Sequence, residues 1–197
     1  MATQSALTRT VEGRELPPPG RWKIDPSHSE VQLVVRHMMV AKVRGRFREF
    51  SGTISVAEVP EESSVEATIK AASIDTGDPN RDAHLRGPDF LDVGRYPEIT
   101  YRTTSVRHNG SDRWDVTGDL TVRGVTRTIT IDVEFCGLVT DPWGNLRAGL
   151  LGTTEINRDD FDLTWNQALD SGGFVLGKGV KVDLDIEAVR EQATAPA

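Results

Sequence analysis

The chain has 197 residues, 37% hydrophobic and 27% charged, with a net charge of −7 and a single cysteine. That suits one domain with a real core, excludes an intrachain disulfide, and argues against nucleic acid or an anionic surface as the main partner, since both favour Lys/Arg patches. There is no apolar run of the ~20 residues a spanning helix needs and no apolar leader, so the sequence-based expectation is a cytoplasmic protein.

Residues 1–20 are polar and end in Pro17-Pro18-Pro19-Gly20; they are read as a flexible tail with a stiff polyproline piece. Residues 191–197 read as a frayed C-terminus, leaving 21–190 as one folded unit. Within it, apolar residues alternate with polar ones. The first run is Val31, Leu33, Val35, His37 and Met39, followed by Ile54 and Val56 with Phe50 ahead of them. Then come Val65 to Ala71, Ile99 to Ser105, and Trp114, Val116, Gly118, Leu120 and Val122. The cleanest run is Ile129, Ile131, Val133 and Phe135; Leu146 to Ile156 and Val180 to Ile186 complete the series. Period two with one polar face marks half-buried antiparallel strands. Eight such runs joined by turn signals (Asn109-Gly110-Ser111, Arg123-Gly124, Asp141 to Asn145) predict an all-β, eight-stranded antiparallel up-and-down barrel. An open sandwich has the same local pattern.

Two stretches break the pattern. Asn80–Pro97 is charged but carries Leu85, Phe90 and Leu91 at spacings that suit short helical pieces over about 80–95. Asp82 is a candidate cap and Pro88 a candidate second start. Such an insertion in a β-protein is expected to cover one end of the barrel. Residues 157–163 read as a short helical turn after Asn157.

A barrel of eight strands is filled by side chains or holds one small ligand. Inward positions are mostly Val, Ile, Leu and Ala, and Gly118, Gly152, Thr103 and Ser105 spare room, which suits an aliphatic guest. Chemistry has few candidates. No HxH, HExxH or CxxC is present, so no metal is expected. Nor is there a phosphate loop or nucleophile elbow, and no cofactor is implied. Asp82, His84 and His37 are the residues an enzyme would use; each also has a structural role to fill, with His28 and His108 expected in turns. Cys136 lies on a polar face without a motif. Lys42, Arg44, Arg46 and Arg48 form either an anion-binding mouth or an exposed strand face.

Four blocks, in order, resemble one family. They are WKIDPSHSEVQLVVRHMMVAKVRGRFREFSGTI at 22–54, RDAHLRGPDFLDVGRYPEITY at 81–101, GDLTVRGVTRTITIDVEF at 118–135 and INRDDFDLTW at 156–165. On these the chain resembles the YceI-like, polyisoprenoid-binding family. The resemblance implies an extended lipocalin-like barrel whose long apolar pocket holds a polyisoprenoid, a quinone or another long-chain lipid, for transport, storage or sequestration. Many members are periplasmic, from which the missing signal departs. Asp162 also departs, where the family pattern usually has Gly. The blocks place His37, Phe47, Phe50, Phe90, Leu91, Leu120, Phe161 and Trp165 at the pocket; Met39, Val122 and Phe135 join them by inward parity. An enzyme acting on a bound prenyl lipid and an interaction module with a filled core are the competing expectations. A homodimer through a strand edge is compatible with the sequence.

Overall fold

The alternating runs pair antiparallel throughout. The computed structural model describes residues 8–110, 112–170 and 173–192. Its strands are β1 Arg9–Val11, β2 Arg14–Leu16, β3 Gly20–Ile24, β4 Glu30–His37, β5 Ala41–Phe47, β6 Phe50–Val56, β7 Ser64–Lys70 and β8 Ile74–Asp75. After helix α1, Pro79–Arg86, come β9 Glu98–His108, β10 Arg113–Val122, β11 Val125–Thr140, β12 Leu146–Asn157 and β13 Leu176–Arg190.

Strand neighbours run β3–β6–β7–β9–β10–β11–β12–β13, and β13 pairs back onto β3. The barrel is therefore closed and has eight strands. Three adjacent staves are broken at one level. Along the same edge of β13, β3 pairs at Ala188–Arg190 and β4 at Leu176–Asp185. Likewise β5 gives way to β6 across residues 48–49, and β7 to β8 across a 3-10 turn at Ala71–Ser73. The ladder survives the break through Arg48 N–H to Ser73 O and Lys70 N–H to Glu49 O. The period-two runs thus mark β4 and β6 but miss β3 and β5, the other halves of their staves.

At one end, α1 starts where Pro79 sits in the first turn and the Asp78 carboxylate accepts from the amides of Asn80 and Arg81. The cap is therefore Asp78, not Asp82. Residues 87–96 are successive turns rather than a second helix. Phe47, Ile74, Val122 and Phe161 are buried beneath this cover, and Leu85, Leu91 and Val93 pack onto them. Arg86 ties it to the carbonyls of Ala72 and Ile74, and Arg123 ties Pro88 to Asp162. A 3-10 turn at Arg158–Phe161, capped by Asn157, completes this end.

At the opposite end, β1 and β2 form a hairpin, inside the segment the sequence suggests is a tail. Leu16 is buried with Val106, Trp114 and Val116, and Val11 packs beside them. Arg9 anchors the hairpin by donating to the carbonyls of Ala57, Glu58 and Pro17. Residues 1–7 and 193–197, the rest of the expected tails, lie outside the described residues, as does Ser111 of the Asn109–Ser111 turn.

Candidate functional site: an apolar barrel cavity

The inward faces do not fill the barrel. They enclose a cavity of about 320 Å³ running from Leu16 and Trp114 near the hairpin to Phe47, Leu91 and Val122 beneath the cover. The wall is almost entirely hydrocarbon, and most of the few polar groups that reach it are already bonded. Tyr101 donates its hydroxyl to Val116 O at 2.9 Å. Burial pushes that phenol up to about 12, so it stays protonated. Thr154 donates to Thr130 O, and Ser63 accepts from the Ala57 amide. Arg9 reaches the rim with most of its donors spent on carbonyls. A guest therefore meets mainly dispersion and hydrophobic contact.

Phe47, Phe50, Leu91, Leu120, Val122 and Phe135 lie on the cavity wall. Phe161 is fully buried one layer back, in the packing under the cover. Phe90 and Trp165 form an aromatic cluster with His84, with centroids about 5 Å apart: 5.2 Å for Phe90–Trp165, 5.0 Å for His84–Phe90 and 4.8 Å for His84–Trp165. They brace the cover rather than line the cavity. His37 pairs with Ala41 and Leu176 at the far end of β4, off the wall. Met39 is a correction to the sequence reading. Alternation ends at His37, and Met39 sits in the following turn, 68% exposed. Gly118 is another. A Cβ there would come within 2.6 Å of the Tyr101 ring, so the missing side chain makes room for Tyr101 and not for a guest.

Asp82, His84 and His37 are not gathered into one constellation. Asp82 is buried and accepts from the Thr76 amide and hydroxyl at 2.9 and 2.6 Å. His84 pairs with Asp89 at 3.0 Å. None of the three lies on the wall. The basic run is on the outer face of β5 and just beyond it, where Arg46 and Arg48 pair with Asp75; none of it is on the cavity wall.

Two polar clusters escaped the sequence reading. Arg158 is only 5% exposed and donates to the carbonyls of Gly177, Leu163 and Trp165. Burial lowers its pKa from the usual arginine value. Arg147 gathers Asp25, Asp141 and Glu187 where β3 gives way to β4. The hydrogen bond from Arg147, then that from His28, hold the Asp25 carboxyl well below the usual carboxylate range. Burial alone would raise Asp141, but bonds from Arg147, Asn145 and the Trp143 amide together hold it low as well. Asp25, His28 and Glu187 come within metal-ligand spacing. Their facing oxygens already receive the Arg147 guanidinium, which supplies the positive charge a cation would bring.

A closed antiparallel barrel with a hydrocarbon-walled interior defines a lipocalin-like binding fold. The YceI-like domain model matches residues 22–188, and the chain belongs to that family. It is 39% identical over 168 residues to a UPF0312 protein of Vibrio parahaemolyticus, covering 84% of each. Among solved structures it resembles the Campylobacter jejuni YceI protein, with TM-score 0.69 and 26% identity, covering 80% of this chain and 90% of that one. A polyisoprenoid binding domain from Saccharophagus degradans has the same fold, with TM-score 0.68 and 19% identity over 88% of this chain and all of that one. Among the described residues no helix is long and apolar enough to cross a membrane.

Proposed function

We propose that the protein binds the hydrocarbon chain of a polyisoprenoid or related long-chain lipid or quinone inside the barrel, as a non-catalytic carrier, store or sequestering protein. The observation that carries this is the cavity itself: about 320 Å³, with a wall that is almost entirely hydrocarbon. Interiors are normally close-packed, so a dry apolar void of this size is costly unless a guest fills it. Membership of the YceI-like family and the name of the Saccharophagus neighbour support a polyisoprenoid as that guest. Phe47, Phe50, Leu91, Leu120, Val122 and Phe135 would contact the chain, and Phe90, Phe161 and Trp165 would hold the closed end. A polar head group would stay outside the hydrocarbon section.

Solvent extraction of purified protein followed by mass spectrometry should recover a prenyl or other long-chain lipid, unmodified after long incubation. Protein stripped of lipid should take up a labelled prenyl alcohol. Lipid-free protein that takes up none would refute the proposal; conversion of the bound lipid to a product would refute its non-catalytic part.

A further inference from the structure

The turn joining β4 to β5 spends apolar residues on solvent. Val40 N–H bonds His37 O, and both central residues, Met38 and Met39, have positive φ, 47° and 61°. That geometry favours Asn and Gly; in side-chain-bearing residues it is disfavoured. Here it carries two methionines followed by a valine. Met38 is 40% exposed, Met39 68% and Val40 85%. The adjoining segment adds Phe174, 57% exposed, held against the turn by Met38 N–H to Val175 O. A strained turn that, with Phe174 beside it, presents four apolar side chains to water has no folding advantage, so its benefit lies outside the monomer.

Directly behind the tip stand three cations. Arg36 and Lys42 are cross-strand partners, and Arg44 follows on β5 opposite Val34. All three are exposed, and none has an ion pair among the described residues, whereas Arg46 and Arg48 further along are neutralised by Glu30 and Asp75. Like charges placed opposite each other across two strands are unfavourable. On a chain of net charge −7, this collar is a local exception.

From this arrangement we propose that the β4–β5 tip, with Phe174, docks onto an anionic lipid bilayer. Met38, Met39, Val40 and Phe174 enter the boundary between head groups and acyl chains, and Arg36, Lys42 and Arg44 meet lipid phosphates. Its methionines are unbranched and adaptable, which suits insertion into a soft interface rather than a shaped protein groove. The unneutralised collar supplies the charge complementarity. The tip binds bilayers whether or not the barrel holds a chain.

The test is co-sedimentation of the full chain with vesicles of phosphatidylcholine and phosphatidylglycerol in equal parts, against phosphatidylcholine alone. The wild type should pellet with the mixed vesicles and much less with the neutral ones, and added salt should release it. Arg36→Gln/Lys42→Gln/Arg44→Gln should weaken partition by about fivefold per cation, on the order of a hundredfold in total. Met38→Asn/Met39→Gly installs the residues this turn favours. It should melt no lower than the wild type and still lose vesicle binding, which separates docking from folding. Wild-type protein that ignores mixed vesicles at low salt would overturn the proposal, as would Asn-Gly and Gln variants that bind like wild type. Self-association through the tip without vesicle binding would overturn it too, in favour of a contact between copies. Lipid uptake measured in detergent reports separately on the barrel.

Discussion

Affinity should climb with chain length and then stop. The cavity is about 320 Å³. With a methylene taking about the ~30 Å³ that a water occupies in the liquid, it accepts on the order of ten carbons. Each methylene moved from water to this wall is worth about 0.8 kcal/mol, or about fourfold in Kd. A full chain thus gains ~8 kcal/mol before the cost of association, which is at least ~4 kcal/mol. Short chains should bind too weakly to measure. A series of straight-chain alcohols, titrated calorimetrically or by displacement of a fluorescent fatty probe, should tighten about fourfold per carbon and level off near ten to twelve carbons. Beyond that, added carbons remain in water and change little. The heat capacity of binding should become more negative along the same rising part. An affinity that keeps rising at the same slope past about sixteen carbons would refute the volume argument. A series with no chain-length dependence would refute burial as the source of binding.

Other consequences are as concrete. Arg158→Met takes the donor from the part-buried carbonyls of Gly177, Leu163 and Trp165; it should cost about 3 kcal/mol, read as a lower urea midpoint. The Arg147 cluster should be acid-labile. Asp25 and Asp141 have folded pKa values below the ordinary 3.8, so their contribution is present above that value and lost as pH falls from it through the lower folded values. Wild-type stability should therefore drop between about pH 5 and about pH 2 more steeply than that of Arg147→Met; parallel curves would refute the linkage. Leu16→Ala should release the β1–β2 hairpin alone: amide exchange should speed up over residues 9–16 while β10 to β13 stay protected. Loss of protection across the whole barrel would show that the hairpin is part of the main cooperative unit.

The barrel was legible because period two survives wherever one face of a stave is buried and the other wet. It failed at the broken staves. In β5, KVRGRF places only Val43, Gly45 and Phe47 inward, too little apolar content to stand out among three basic residues. The β1–β2 hairpin was signalled by Glu12-Gly13, both at positive φ, but a polar neighbourhood and the polyproline run hid it. Met39 was misplaced because alternation says which face a residue takes and not where the strand stops. The Arg147 cluster draws on residues 25, 141 and 187, separations at which no local pattern exists. Asp162 shows the reverse case. It occupies the left-handed region, φ 58°, which accounts for glycine being usual in the family pattern, and the chain accepts an aspartate there because Asp tolerates that conformation better than most.

The closing strand, β13, has a consequence for how the molecule comes into being. It pairs with β12 along one edge and with β3 and β4 along the other, so the ring shuts only when it is in place. Until residues 176–190 leave the ribosome, the inward faces of all the earlier staves form an open, curved sheet with its hydrocarbon side unprotected and two free edges. Contacts this distant in sequence form slowly, and open sheets of this kind are the ones that aggregate. Closing the ring early, or covering that face until it closes, is therefore what this topology demands of folding.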